Sequence, residues 1–393
     1  MSHQVLDRII RRQQLGDEER AVLEALQQLN ARQIAPRAEQ HDRDADFPWD
    51  NVRDLNALEL NLAFLPAAYG GAELSYRCYL LLVEELSAAC ASTGITWATN
   101  FHAVSPLVDF GSHEQKQRLL PAIAAGGLGA LAITEASGGS DATSMSTRFV
   151  PDGDDVVVDG DKLFITNGDV ADLYLVFGKW AGIEDPRASV TALIVEKGTP
   201  GLEVVGREDK MGHRASSTVA LSFRDCRVPA ANVLVEPGAG LRILFSALNK
   251  SRPSVAAHAL GIARAAFDDA VEYVNERRQF GRAIVDFQGV QFMLADLATR
   301  LAMTQSWLFH VAALAEEELE VPTEASMLKL AASDLAMDMA SAAVQLFGGY
   351  GYCKGMRVER LFRDAKLTQI WEGTNQLQRQ TIGRAFRARR RAS

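Results

Sequence analysis

Cysteine is scarce in this chain: Cys78, Cys90, Cys226 and Cys353 stand apart, with no Cys-x-x-Cys pair. That excludes a zinc ribbon or a disulfide framework and fits a reducing compartment. Long apolar runs are missing as well. No stretch approaches the 18 or so uninterrupted apolar residues of a membrane span. The opening segment, Met1 to Arg8, has no apolar core of signal-peptide length, so a cytoplasmic location is expected. An excess of positive charge is also lacking. The formal charge of -9 excludes general nucleic-acid affinity, which needs a basic surface. The exception is the tail, with Arg384, Arg387, Arg389, Arg390 and Arg391, which reads as a solvated helix end. No P-loop is present, and no βαβ unit carries the dinucleotide fingerprint.

What is present is a long chain with ordinary composition. Its 393 residues, 48% apolar and 23% charged, can bury a large core over two or three structural units. The hydrophobic period changes twice. Up to about Leu128 it is helical: Val22, Leu23, Leu26, Leu29 and Ile34 recur at three- and four-residue steps. Tyr79 to Ala98 reads as one helix, apolar on most sides. From about Gly129 to Val235 short β-branched runs alternate with turns. Asp152-Gly153-Asp154-Asp155 separates Val150 from Val156, and Asp159-Gly160-Asp161 separates Val158 from Leu163. Such punctuation predicts an antiparallel sheet or small barrel. After Pro237 helical periodicity returns, in segments near 239–276, 288–317, 323–347 and 374–388. The predicted fold is α+β and mainly α: an N-terminal helical domain (1–127), a middle β-barrel-like domain (128–236) and a C-terminal four-helix bundle (237–393).

The residue that carries most chemical information is Glu372, within Gln369-Ile370-Trp371-Glu372-Gly373-Thr374-Asn375-Gln376. A lone carboxylate between a large aromatic and a glycine loses hydration, which makes it a stronger base. Two glycine-rich elements precede it: Thr134-Glu135-Ala136-Ser137-Gly138-Gly139-Ser140-Asp141, and Gln345-Leu346-Phe347-Gly348-Gly349. In this order and spacing the three elements resemble the acyl-CoA dehydrogenase family, short- and medium-chain type. The resemblance runs from about residue 20 to the end of the chain.

That resemblance implies FAD as cofactor, with its ring between the β domain and the C-terminal bundle. Leu131, Ile133 and Thr134 match one ring-contacting strand, and Phe164, Ile165 and Thr166 match the other. Ser140 matches a position that meets substrate or cofactor, where Gly138 and Gly139 let the backbone approach closely. Arg277 matches the pyrophosphate-binding arginine, for which a guanidinium fork is suited. Gln279, Phe280, Gln288, Thr374 and Gln376 match further cofactor contacts. Gln345, Gly348 and Gly349 match a segment that reaches the FAD of a neighbouring subunit, so the resemblance implies a homotetramer. It also implies that Glu372 takes the α-proton of an acyl thioester while hydride leaves for flavin N5, and that Gly373 lies beside the substrate. The implied partners are acyl-CoA, or an acyl carrier protein thioester, and an electron-transfer flavoprotein. No metal is implied.

Several residues refine or depart from the pattern. Some family branches carry the base just before the arginine of Leu248-Asn249-Lys250-Ser251-Arg252; Ser251 stands there, and a serine is no base at neutral pH. Asn249 replaces the Asp that commonly holds the pantetheine arm, a loss of roughly 1 kcal/mol, while Arg252 is kept. Trp371 replaces the usual Tyr and narrows the pocket, which favours a short or planar acyl group. Ala91 to Asn100 contains no arginine, which argues against a distal carboxylate on the substrate. His213 reads as a loop residue of the β domain. The alternatives are an oxygen-using acyl thioester oxidase or flavin monooxygenase on the same scaffold, or a scaffold subunit without catalysis.

Overall fold

The computed structural model describes residues 15–387 together with residues 8 and 9. The reading of Met1 to Asp7, and the tail arginines Arg389, Arg390 and Arg391, fall outside the described residues. Helices α1 (Asp17–Leu29), α2 (Ala35–Asp44) and α3 (Trp49–Ala57) open the fold. Leu23, Leu26 and Ile34 are buried, as their spacing predicts. The single helix expected from Tyr79 to Ala98 is two: α4 (Tyr76–Ala89) and α5 (Ala91–Phe110). Cys90 leaves the helical region (φ -153°, ψ 107°) between them. The break brings Gly94 against Ser87, where an added Cβ would lie 2.4 Å from the hydroxyl oxygen. Periodicity could not reveal this, because α5 is buried from Ala91 to Leu107 and has no polar face to interrupt. Helix α6 (His113–Ala124) completes the N-terminal part behind a Ser112–Gln115 capping box.

Seven strands follow: β1 (Gly129–Ala132), β2 (Arg148–Asp152), β3 (Asp155–Thr166), β4 (Leu173–Trp180), β5 (Val190–Glu196), β6 (Leu202–Arg207) and β7 (Thr218–Pro229). Their order is β1-β4-β2-β3-β7-β6, with β5 on β4. The hairpin at Gly153 forms as predicted, pairing Val150 with Val157. Most pairs are antiparallel, while β1 and β2 each run parallel to β4. Asp159-Gly160-Asp161 is no turn; β3 continues through it with a register shift at Val158/Gly160. Thr147 crosses there, and an added Cβ on Gly160 would lie 2.4 Å from its hydroxyl.

The C-terminal part has three long helices, α7 (Gly240–Glu276), α8 (Gln288–Glu316) and α9 (Pro322–Phe347), then α10 (Arg357–Thr368) and α11 (Asn375–Ala385). The short α10 has no counterpart among the four predicted segments; it buries Val358, Leu361 and Ala365 along one stripe. One continuous core unites both helical parts, through Leu26, Leu80, Leu260, Leu308, Leu335 and Leu361. A second joins α6 and the sheet to the start of α7, through Leu119, Leu175, Phe177 and Ile243. Burying a leucine or phenylalanine side chain contributes about 1.5–3 kcal/mol, so these shared cores fix the angle at which sheet and helices meet. No described helix is long and apolar enough to cross a membrane.

Candidate functional site

Glu372 sits in the tight connection between α10 and α11, with its backbone in the left-handed region (φ 52°) ahead of Gly373 (φ 89°). A non-glycine residue held there costs about 1–3 kcal/mol and persists only when its surroundings enforce it. Here they do. The loop closes through Trp371 N to Leu367 O and Asn375 N to Gln369 O. Lys329 Nζ donates to Gly373 O and to Asn375 Oδ1, both at 2.9 Å. Gln378 Nε2 donates to Gly373 O at 2.8 Å and to Glu372 O at 3.3 Å. Thr374 caps α11 by accepting from Leu377 N.

The carboxylate itself is 13% exposed. One oxygen, Oε2, accepts a 2.6 Å hydrogen bond from Ser251 Oγ. The other, Oε1, lies 3.8 Å from His102 Nδ1. Ser251, rejected as a base from sequence, thus meets Glu372 across 121 residues of chain. Two buried cations share this neighbourhood. Burial pushes the Lys329 ammonium down to about 7 against the pull of Glu372. Burial likewise lowers the Arg252 guanidinium, with Glu372 acting in the opposite direction; Arg252 donates to Ser326 Oγ at 3.3 Å. Asn249 is half-buried on α7.

The first glycine-rich element is pinned by a residue that sequence reasoning passed over. Glu135 accepts from Lys162 Nζ at 2.6 Å, from Ser146 N and Oγ, and from Thr147 N and Oγ1. Burial pushes its carboxyl up, but the Lys162 charge and these bonds outweigh that and hold it at about 2. Lys162 is pushed down to about 8 by burial. Its Nζ also donates to Ile133 O, and Leu163 N donates to Thr134 O. Those bonds bring Leu131, Ile133 and Thr134 beside Phe164, Ile165 and Thr166. Phe164 stands 60% exposed at φ 59°, while Ile165 is 2% exposed. Ser140 is exposed on the loop.

A separate cavity of about 450 Å³ is lined by Arg277, Gln279, Gly348, Gly349, Phe347 and Tyr350, among others. Added Cβ atoms on Gly348 and Gly349 would meet nothing within 4 Å, so their backbone faces open space beside the Arg277 guanidinium. That combination suits a phosphate group. Phe280 is 93% exposed nearby in sequence, and Gln345, Gln288 and Gln376 are exposed. None of the residues lining this cavity is among those bonded to Glu372.

His213 is a buried loop residue that joins domains. Its backbone N–H donates to Asp364 Oδ1 at 2.5 Å, and its Nε2 lies 2.8 Å from His258 Nε2. Ser87 Oγ donates to Val83 O, so it accepts from His258 Nδ1–H at 2.7 Å. That leaves His258 Nε2 as acceptor and His213 Nε2–H as donor. Burial lowers the pKa of both imidazoles, His258 to about 3.

Comparison with known proteins agrees with this architecture. Residues 16–127, 130–226 and 238–386 match the N-terminal, middle and C-terminal domains described for acyl-CoA dehydrogenase. An acyl-CoA dehydrogenase of Bacillus subtilis is 42% identical over 90% of this chain and 93% of its own. The cyclohex-1-ene-1-carbonyl-CoA dehydrogenase of Geobacter metallireducens is 42% identical over 95% of this chain and 98% of its own. The structure of butyryl-CoA dehydrogenase from Megasphaera elsdenii superposes with a TM-score of 0.92 at 37% identity, covering 94% and 98% of the two chains. The chain belongs to the acyl-CoA dehydrogenase family, flavin-dependent oxidoreductases that act on CH–CH groups.

Proposed function

We propose that the protein converts a short- to medium-chain acyl-CoA, or the same acyl group on a carrier protein, to the trans-2-enoyl thioester, with Glu372 as the base. The observation that carries this reading is the held carboxylate: strained backbone, 13% exposure, one oxygen bonded to Ser251 and the other without a hydrogen bond among the described residues. Such a group accepts a proton on Oε1 while Ser251 keeps Oε2 oriented. The Glu372 N–H has no acceptor among the described residues, which leaves it to polarise the thioester oxygen as negative charge develops there. Buried Arg252 and Lys329 lower the cost of a charged carboxylate in this setting.

The chain suits the family cofactor. Phe164 offers an exposed aromatic face near the end of β3, and Gly348, Gly349 and Arg277 form a cradle for phosphate. Leu131, Ile133, Thr134, Ile165, Thr166, Ser140, Thr374 and Gln376 are assigned to the flavin on their own polypeptide. Arg277, Gln279, Phe280 and Gln288 are assigned to the cofactor, and Gln345, Gly348 and Gly349 to the FAD of a neighbouring copy in a homotetramer. When bound, FAD supplies the two-electron acceptor for the hydride that leaves Cβ. An electron-transfer flavoprotein would take those electrons onward. Asn249, Arg252, Ser140 and Gly373 are assigned to the thioester.

The test is anaerobic addition of short acyl-CoAs to the FAD-loaded protein, following the visible flavin absorbance. Bleaching within a catalytic turnover time is the expected result. Failure of every thioester to bleach it would remove this function. Peroxide release under air at the dye-coupled rate would instead assign an oxidase.

A further inference from the structure

Beside Glu372 the fold buries polar atoms that the dehydrogenation step does not use. His102 is 1% exposed, and neither of its ring nitrogens has a hydrogen-bond partner among the described residues. The same is true of Trp371 Nε1 and of Thr99 Oγ1, one turn before His102 on α5. The His102 and Trp371 rings lie 5.7 Å apart, centroid to centroid, and His102 Nδ1 is 3.8 Å from Glu372 Oε1. A small shift would let Nδ1–H reach that oxygen. It would still leave His102 Nε2, Trp371 Nε1 and Thr99 Oγ1 unbonded. Native proteins rarely gather such atoms in one place without a ligand to satisfy them, since each one left bare is destabilising.

We infer that His102, with Trp371 and Thr99, recognises a neutral oxygen on the acyl chain, so that the preferred substrates are hydroxy- or oxo-acyl thioesters and not plain hydrocarbon ones. The inference rests on Glu372 being the base, because that role places the acyl chain against these side chains. The donor and acceptor inventory supports it. A neutral imidazole offers one of each, the indole one donor and the threonine hydroxyl both, which together match a hydroxyl or a carbonyl. Burial lowers the His102 pKa, which keeps the ring neutral. A carboxylate on the chain would face Glu372 with no cation on α5 to pair with, since Ala91 to Phe110 contains neither lysine nor arginine. A purely apolar chain would bury all of these atoms unbonded.

The experiment compares matched pairs on the FAD-loaded protein: butyryl-CoA against 4-hydroxybutyryl-CoA, and pentanoyl-CoA against 4-oxopentanoyl-CoA. It reads kcat/KM by dye-coupled turnover and, in Glu372→Gln, thioester binding by perturbation of the flavin spectrum. The oxygenated member of at least one pair is expected to be favoured by about tenfold or more in both readouts, the discrimination of one well-made buried hydrogen bond. His102→Leu should bring the ratio to about one, and His102→Asn should restore part of it. Equal or better use of the hydrocarbon members by the wild type overturns the inference even if His102→Leu cannot be obtained folded. If none of the four bleaches the flavin, Glu372 loses its role, a failure distinct from loss of the preference alone.

Discussion

The surroundings of Glu372 and the Arg277 cavity are built in opposite ways. Around Glu372 the supporting side chains are nearly all buried: Ser251 at 1%, Lys329 and Gln378 at 0%, Asn375 at 4%. Each is tied to the loop or its neighbours by named hydrogen bonds. Around Arg277 the residues are open: Phe280 at 93%, Tyr350 at 61% and Tyr352 at 87% exposed, and the Arg277 side chain makes no ion pair among the described residues. The first region is held together by hydrogen bonds within one polypeptide. The second is a set of groups waiting for something to cover them. On the proposed assignment, chemistry that needs sub-ångström placement is put where the protein is most crowded, and cofactor capture is left to a surface.

If that contrast is real, damage to the two regions should be felt differently. The largest effect among variants that keep Glu372 is expected at Lys162→Met, in the buried network that holds the flavin-side loop. It strands Glu135 without its cation and should cost about 3–5 kcal/mol of folding stability in denaturant titration. Arg277→Ala should leave the stability of the FAD-free protein within about 0.5 kcal/mol. It should weaken FAD binding by tenfold to a hundredfold, corresponding to about 1.5–3 kcal/mol for a lost charge-assisted bond, measured by ultrafiltration and flavin fluorescence. The reverse pattern would break the comparison. Ser251→Ala removes the one side-chain hydrogen bond that the carboxylate accepts among the described residues and should lower kcat about tenfold with little change in KM, with Ser251→Thr restoring part of the loss.

A further effect is expected in acid. Glu135 has a folded pKa of about 2, below its ordinary value of 4.5. The folded state therefore binds fewer protons than the unfolded one in between, and stability falls as pH drops from 4.5 towards 2. Lys162→Met should flatten that part of the stability curve. A wild-type curve already flat there would remove the Glu135–Lys162 pair from the account.

Much of this was legible before any coordinates. The loop at Glu372, the glycine-rich elements and the Arg277 segment announced themselves because glycines, an aromatic and a charge stand at fixed offsets within a few residues. The Gly153 hairpin followed from its turn chemistry. What stayed hidden depends on distant parts meeting. Nothing local says that Ser251 donates to Glu372, or that Lys162 pairs with Glu135. No local pattern singled out His102; only the fold puts it against Trp371 and Glu372. The break at Cys90 and the bulge at Gly160 were misread for a related reason. In both places close approach of another segment, Ser87 to Gly94 and Thr147 to Gly160, decides the backbone path. Spacing along the chain encodes a face, not its partner.

The most direct measurement on the central claim is the rate of anaerobic flavin reduction by butyryl-CoA in wild type and in Glu372→Gln, with flavin content and thioester binding measured on the same samples. The account predicts a fall of about 10³-fold with both bindings retained, the range expected for loss of a positioned base. Reduction of the flavin at the wild-type rate in Glu372→Gln would contradict it.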